Sequence, residues 1–235
     1  MSSHTPSSAQ VLSVNVGRAR MVGQGRRAHV SGIDKRPTTT ITVRDPGDRL
    51  TGAGSGVPGD HLADRKHHGG TSQAVYVVAR EQLDHWQAEL GRDLAPGVFG
   101  ENVTTGGLVV DDAVVGTTWH VGDHAQLEVR GPRIPCATFA AHLGEPGWVK
   151  RFTAHGHPGA YCAVLRPGTI RAGDGIRVHA VPGHGVTVRT VFSAYSGDLE
   201  AVDLVLRAGC LPAEEHAELE ARVARRRADA TPAAD

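Results

Sequence analysis

Short apolar segments recur up to about residue 182, each bounded by turns rich in glycine and proline. Segments of this kind, rich in β-branched residues, are typical of strands. The 30 glycines and 13 prolines supply the corners that a barrel or sandwich needs, and no regular alternation of strands and long helices is seen. The pattern predicts a mainly β fold with strands near residues 11–16, 39–43, 74–78, 126–130, 160–165 and 175–181.

Helical periodicity replaces the strand pattern in two places. Residues 80–90 place apolar side chains on one face at spacings of three and four, and a glycine follows that can end the helix. Beyond residue 182 the pattern predicts three short amphipathic helices, capped or opened by Thr187, Asp198 and Pro212.

These patterns divide the chain into three predicted parts. Residues 1–10 are polar and are expected to form a disordered tail, residues 11–182 a β-barrel domain, and residues 186–229 a small three-helix subdomain. Helices this short usually bury their apolar faces against one another or against the main domain, although a partner-binding module is an alternative.

The overall charge is balanced, with 25 Lys and Arg against 25 Asp and Glu. Nothing in this balance points to nucleic acid or to an anionic membrane as a partner. The first 48 residues carry seven basic and three acidic residues, and this excess of four could flank an anionic ligand or form a solvated surface.

The cysteines and the apolar runs predict the compartment. Cys136, Cys162 and Cys210 are odd in number and lack a CxxC spacing, which argues against a disulfide framework and against a structural zinc site. No apolar run approaches the length of a membrane span, and the first nine residues lack the apolar region of an export signal. We expect a globular cytoplasmic protein, and its oligomeric state is left open, a homodimer included.

Cys136 ends the sequence Gly-Pro-Arg-Ile-Pro-Cys, which places one thiol after two rigid prolines and close to the cation of Arg133. Each proline fixes φ and lacks an N–H, so the segment is predicted to be an ordered connection that presents a side chain. A nearby cation favours the thiolate, which attacks electrophiles and ligates soft metals. The alternative is a buried cysteine that acts as a small apolar residue.

A second polar segment, residues 59–70, lies just ahead of a predicted strand. Gly69 and Gly70 would allow backbone N–H groups to approach an anion, and the side chains of Lys66, His67 and His68 supply donors. These groups suit a phosphate or an electron-rich ring. A divalent-metal site built from Asp60, Asp64, His67 and His68 is the less favoured alternative, because Arg65 and Lys66 would repel a dication and no zinc spacing is present.

A third segment, residues 96–107, places Glu101 and Asn102 directly after Gly100. The carboxamide of Asn102 can donate and accept at once, which suits the edge of a heterocycle. A capped turn in which Asn102 bonds its own backbone is the alternative.

Seven short motifs, taken together in order and spacing, resemble the MOSC family, named for the C-terminal domain of molybdenum-cofactor sulfurases. The similar branch is that of the bacterial YiiM-type proteins linked to resistance against 6-hydroxylaminopurine. The resemblance runs from about Val11 to Val181, and the helical tail resembles the short α-helical domain of that branch. The motifs are Ser31-Gly-Ile-Asp-Lys-Arg-Pro37, Gly59-Asp60, His68-Gly-Gly70, Phe99-Gly-Glu-Asn102, Pro132-Arg-Ile-Pro-Cys136, Gly159-Ala-Tyr161 and Ala172-Gly-Asp174.

The resemblance implies a β-barrel of the pyruvate-kinase-barrel type that holds the molybdopterin form of the molybdenum cofactor in a cleft. It implies that Cys136 binds the molybdenum or carries sulfur. The expected cofactor contacts are Lys66, His67, His68, Gly69, Gly70, Gly100, Glu101, Asn102 and Arg133.

On this basis the expected function is a molybdenum-dependent reduction of N-hydroxylated compounds, such as a hydroxylaminopurine or hydroxylamine. No flavin, haem or iron–sulfur motif is visible, so a separate electron-donating reductase is the expected partner. Two alternatives stay open: a sulfur carrier that uses a Cys136 persulfide, and a non-catalytic barrel that binds a pterin or a nucleobase.

Overall fold

The structure, a computed structural model, describes residues 9–230. Residues 1–8 of the predicted tail lie outside this range, and Gln10 already begins a strand, so the predicted tail reaches too far. The strands are β1 (Gln10–Gly17), β2 (Arg20–Val22), β3 (His29–Ser31), β4 (Lys35–Thr38), β5 (Thr40–Val43), β6 (Val75–Ala79), β7 (Val103–Gly106), β8 (Thr118–Val121), β9 (Ala125–Pro132), β10 (Ala160–Arg166), β11 (Gly168–Arg171) and β12 (Ile176–Ala180). The helices are α1 (Arg80–Leu90), α2 (Ala137–Leu143), α3 (Trp148–His155), α4 (Val188–Ser196), α5 (Leu199–Ala208) and α6 (Ala213–Ala230).

Eight strands form one mixed sheet in the order β12-β8-β9-β10-β6-β7-β1-β4. Its pairs are antiparallel except for β6 and β7, which run parallel and are joined by the crossover through α1. Two-stranded sheets are formed by β11 with β5 and by β2 with β3. We refer to β2, β3 and the turn between them, residues 20–31, as the β2–β3 hairpin.

The predicted sheet-rich fold with several helices is confirmed, and each of the six predicted strands overlaps an observed strand. The predicted closed barrel is not confirmed, because the strand order within residues 9–230 does not form a ring. The start of β1 does approach the start of β12, since the amide of Ile176 donates to the carbonyl of Ala9 at 2.8 Å.

The helix capping predicted from the sequence is seen in detail. Gly91 ends α1 in the left-handed conformation, with φ of 62°. The hydroxyl of Thr187 accepts from the amide of Thr190 at the start of α4, and the carboxylate of Asp198 accepts from the first turn of α5. The helices α2 and α3 were not predicted, because seven and eight residues are too few for a clear periodic pattern.

The buried apolar residues that the structure describes form three clusters. One lies within the main sheet, and a second joins α4, α5 and α6 around residues such as Val191, Val205 and Leu219. The third is aromatic and packs α1, α2 and α3 against β6; its rings include Trp86, Phe99, Phe139, Trp148, Phe152 and Phe192. This aromatic cluster fixes α2, and with it the segment that carries Cys136.

Among residues 9–230, no helix combines the length and the hydropathy that crossing a membrane requires.

Candidate functional site

The parallel pairing of β6 and β7 brings two of the predicted segments together. Val77 pairs with Val103, so the loops that precede the two strands lie at the same edge of the sheet. Asn102 connects them: its amide donates to the carbonyl of Tyr76 at 2.8 Å, and its side-chain Oδ1 accepts from the amide of Tyr76 at 3.2 Å. Asn102 therefore bonds the neighbouring strand, and the alternative in which it caps its own turn is not observed.

A cleft with a volume of about 120 Å³, which we name the thiol cleft, opens at this edge. Six of the predicted site residues line it, and they come from three separate segments of the sequence. These residues are His68, Gly69, Gly100, Asn102, Arg133 and Cys136.

Cys136 precedes α2 in an extended conformation, is half-buried, and faces the thiol cleft. Its partial burial raises the pKa of the thiol. A hydrogen bond with His68, the charge of Arg133 and the amide of Phe139 act in the opposite direction and prevail, so the pKa is lowered to about 6. Cys136 is therefore largely a thiolate at neutral pH. By contrast, burial raises the pKa of Cys162 and of Cys210.

Arg133 is held rigidly beside the thiol. Its residue exposure is only 5%, it donates a hydrogen bond to the carbonyl of Phe99, and its guanidinium carbon lies 4.0 Å from the ring centre of Phe139 and 5.4 Å from that of Tyr76. Such stacking offsets part of the cost of burying the charge. The result is a fixed cation next to Cys136.

The two predicted glycines serve packing. The φ of Gly69 is 90°, and a Cβ there would lie 2.5 Å from Leu62 Cδ2 and 2.6 Å from the carbonyl oxygen of Gly54. The amide of Gly69 donates to Oε1 of Gln73 at 3.3 Å, and that of Gly70 to Gly54 at 2.9 Å. Both amides therefore have partners within the protein, Gly69 lines the thiol cleft and Gly70 does not, and anion binding by these amides stays a prediction.

Lys66 and His67 line a different cleft, which we name the helix cleft. It has a volume of about 370 Å³ and lies between the loop before β6, the end of β9, and the helices α4 and α6. Nδ1 of His67 is 2.9 Å from the carboxylate of Asp64. The two clefts share His68, Gln73 and Tyr161 in their walls. Other charged residues that line the helix cleft are Arg49, Arg130, Glu215, Glu218 and Arg222.

Glu101, predicted as a cofactor contact, is fully buried and does not line either cleft. Its carboxylate accepts from the amides of Gly97 and Phe99 and from the hydroxyl of Thr104. Burial raises the pKa of Glu101, and these hydrogen bonds oppose that rise. Its side chain braces the loop ahead of β7 from the inside, so its part in the site is indirect.

The ion pair between Lys35 and Asp60 was not predicted from the sequence, although both residues belong to the motifs quoted above. Lys35 donates to Asp60 in an ion pair with side-chain exposures of 10% and 3%, and both residues line the thiol cleft. Asp60 also accepts from the amide of Gly17 at 2.7 Å and from Nδ2 of Asn102 at 3.1 Å. Burial lowers the pKa of Lys35, and Asp60 opposes that shift.

Tyr76 and Tyr161 supply aromatic surface that was also missed. Their ring centres are 5.0 Å apart, and both residues line the thiol cleft. The hydroxyl of Tyr76 donates to the carbonyl of Pro158 at 2.6 Å. Burial raises the pKa of both phenols, so they are neutral at physiological pH.

Among the described residues, the less favoured alternative of a divalent-metal site at Asp60, Asp64, His67 and His68 is not observed. Within the part of the chain that the structure describes, no three His, Cys, Asp or Glu residues are placed to hold a metal ion. Asp60 is engaged by Lys35, and Asp64 by His67.

Comparison with known proteins identifies the class. Residues 64–177 match the family model of the MOSC domain, so this part of the chain is a MOSC domain. MOSC domains are associated with molybdenum-cofactor binding in general.

Curated relatives agree with this assignment. The chain is 29% identical to YflK of Bacillus subtilis over 179 residues, which cover 76% of this chain and 77% of YflK. It is 31% identical to YiiM of Escherichia coli over 121 residues, covering 50% of this chain and 53% of YiiM. It is 29% identical to a protein named reductase from Gibberella moniliformis over 175 residues, 73% of this chain but only 29% of that protein.

Solved structures show the same fold. YiiM from Geobacillus stearothermophilus superposes with a TM-score of 0.69 at 24% identity, over 91% of this chain and 98% of that protein. YiiM from Escherichia coli superposes with a TM-score of 0.59 at 21% identity, over 87% and 92% of the two chains. At these identities the likeness concerns the fold.

Proposed function

We propose that the protein holds a molybdopterin-type molybdenum cofactor through Cys136 and reduces N-hydroxylated compounds, such as a hydroxylaminopurine or hydroxylamine. The observation that carries this proposal is a half-buried thiol, open to a cleft, whose pKa is lowered to about 6. A thiolate is the form of cysteine that ligates soft metals. The MOSC domain and a relative named reductase support the redox assignment.

The residues present fit an elongated ligand with a metal at one end and a phosphate at the other. Cys136 provides the soft donor, and the half-buried ring of Tyr161, which packs on the buried ring of Tyr76, provides flat surface for a fused heterocycle. The helix cleft, which adjoins the thiol cleft through His68 and Tyr161, provides several cations. Arg49 is paired with Glu214 and Arg130 with Glu128, so the side chains of Lys66 and Arg222 would hold the phosphate.

When bound, the cofactor supplies the two-electron chemistry that the side chains lack. The residues themselves set the conditions: Arg133 and His68 keep Cys136 deprotonated, and Arg133 is fixed by Phe99 and Phe139 so that its charge does not move away. The overall reaction breaks the N–O bond. Two electrons and two protons convert the N-hydroxy compound into the amine and water, and His68 is placed to hold a proton at the cleft.

The test compares two cysteine variants produced in cells that make molybdopterin. We expect Cys136→Ser to lose bound molybdenum and to lose the reduction of 6-hydroxylaminopurine with reduced methyl viologen as donor. Cys210→Ser is the matched control, because Cys210 is half-buried but does not line either cleft, and it should retain both. Molybdenum is measured by elemental analysis. A Cys136→Ser protein with full molybdenum content and the parent rate would overturn the proposal.

A sulfur carrier is the second candidate, and the same low pKa favours it, because a thiolate is also the form that attacks the outer sulfur of a donor persulfide and releases the donor's thiolate. The purified protein would then contain labile sulfur on Cys136 and no molybdenum. A binding barrel without catalytic activity would contain neither.

A further inference from the structure

We propose that the β2–β3 hairpin, together with the flanking arginines of residues 18–36, is the docking surface for an acidic electron-transfer protein. This inference rests on the proposed reductase function, because it names where the electrons arrive. Three independent features of the surface carry it: exposed apolar side chains, an excess of positive charge, and a position at the mouth of the thiol cleft.

The apolar feature lies on the outer face of the hairpin. Met21 and Val30 are opposite one another in the β2–β3 pairing, and their exposures are 64% and 47%. Val22, on the alternate face, is buried in the aromatic cluster and anchors the hairpin to the domain. A directly paired methionine and valine left open to water form the kind of apolar centre around which a protein interface is built.

The excess of positive charge is found in the residues around this apolar pair. Residues 17–37 contain five arginines and one lysine but a single acidic residue, Asp34. Lys35 is engaged by Asp60, so it does not contribute to the outer surface. Asp34 lies 2.9 Å from Arg36 and 3.9 Å from Arg20, which leaves Arg18 and Arg26 as exposed cations without a carboxylate within 4 Å among the described side chains. Most of the basic excess seen in the first 48 residues is therefore gathered here.

The position feature links the hairpin to the thiol. Val30 and Ser31 line the thiol cleft, as does Thr138, two residues beyond Cys136. The Nε2 atom of His29 is 2.9 Å from the Thr138 hydroxyl, so the hairpin is joined to the start of α2. A protein seated on the hairpin would bring its own redox group close to the mouth of this cleft.

These features match a protein partner with an acidic face. An apolar centre ringed by cations gives both contact area and electrostatic steering, and the steering raises the rate of encounter with an oppositely charged partner. A partner that only delivers electrons must also leave quickly, which suits a small interface with a charged rim. An anionic membrane would attract the same cations, and the experiment separates the two.

The experiment uses the full-length protein loaded with the cofactor and measures reduction of 6-hydroxylaminopurine with two donors. One donor is a reduced flavodoxin, an acidic flavin protein, and the other is reduced methyl viologen, a small dye that needs no docking surface. The variant is Arg18→Glu/Arg26→Glu. The matched control is Lys150→Glu/Arg177→Glu, which reverses two exposed charges in α3 and β12, outside the hairpin.

We expect the hairpin variant to lower the flavodoxin-driven rate at low salt by about tenfold or more and to leave the methyl viologen rate unchanged. The loss should shrink as salt is raised, because salt screens exposed charges. The control variant should keep both rates within about twofold. Met21→Ser, at an exposed residue that does not line the thiol cleft, should lower the flavodoxin-driven rate at every salt concentration and leave the methyl viologen rate unchanged.

Three outcomes would overturn the inference in distinguishable ways. If the flavodoxin-driven rate of the hairpin variant equals that of the unaltered protein, the docking surface is wrong while the proposed function stands. If the unaltered protein shows no reduction with methyl viologen, the proposed function fails and the inference fails with it. If charge reversal abolishes binding to phosphatidylglycerol vesicles but not flavodoxin-driven turnover, the surface contacts a membrane.

Discussion

The side chains of His68 and Cys136 both line the thiol cleft, and their interaction is the strongest of the effects that lower the pKa of the thiol. The two residues come from different loops, one before β6 and the other before α2. The imidazole therefore acts on the reactive group of the site while also forming part of the wall that the two clefts share.

The rate of alkylation of Cys136 should follow this interaction. With a pKa of about 6, the thiolate fraction, and with it the rate of reaction with iodoacetamide, should rise through pH 6 and level off above about pH 7. In His68→Ala, the stabilisation of the thiolate is reduced, so the midpoint should move to higher pH. Peptide mass spectrometry measures the rate for each cysteine separately, and Cys210, whose pKa is raised, is the internal control. An unchanged midpoint in His68→Ala would contradict this account.

The variant Glu101→Gln should show whether Glu101 stabilises the loop ahead of β7 or contacts the cofactor. The amide retains one oxygen but loses the second acceptor, so one of the amides of Gly97 and Phe99 loses its partner inside the protein. We expect the free energy of unfolding in urea to fall by about 1–3 kcal/mol. Molybdenum content per folded molecule should not change, because the side chain does not reach either cleft. A loss of molybdenum at unchanged stability would show that Glu101 contacts the cofactor after all.

Asp60→Asn should be more damaging, because it leaves the ammonium group of Lys35 buried without its counter-charge. Breaking a buried ion pair from one side costs about 3–5 kcal/mol, and urea unfolding should show a loss of this order. The double variant Lys35→Met/Asp60→Asn should recover part of that loss, since no unpaired charge is left. As a control, Asp34→Asn breaks a partly exposed pair with Arg36 and should cost at most about 1 kcal/mol.

Gly69→Ala should distort the wall of the thiol cleft. A methyl group would overlap Leu62 and the Gly54 carbonyl, and the φ of 90° disfavours any residue with a Cβ. We expect a loss of about 1–3 kcal/mol in stability, together with weaker molybdenum binding. Gly175→Ala is the matched control: its added methyl has no neighbour within 4 Å, its φ lies outside the left-handed range, and its stability should change by at most about 0.5 kcal/mol. Equal effects at both positions would rule out this reason for the glycine.

The features that could be predicted from the sequence are those encoded in a few consecutive residues. The setting of Cys136 is written in six consecutive residues, so its presentation at a cleft was predictable, as were the cap of α4 at Thr187 and the end of α1 at Gly91. The orientation of Glu101 was not predictable, because the sequence of a glycine-rich loop does not show whether its carboxylate faces a ligand or the interior.

Contacts between distant segments explain the remaining differences. The pairing of Lys35 with Asp60 depends on how β4 and the loop ahead of β6 come together, and no short pattern encodes that approach. The assignment of Lys66 and His67 to the helix cleft depends on where α4 and α6 pack, which the sequence pattern of the helices does not specify. The strands β7 and β8 were not predicted either, and they are recognised from their pairing with neighbouring strands.

The aromatic cluster also gives the protein an optical reporter. Two of the protein's three tryptophans, Trp86 and Trp148, lie in this cluster with their ring centres 4.5 Å apart. Trp148 packs edge to face with Phe139, and the guanidinium of Arg133 is stacked over the Phe139 ring. The fluorescent indole pair is thus coupled through one phenyl ring to the cation that neighbours the thiol. Changes in emission can therefore follow occupancy of the cleft in an unlabelled sample.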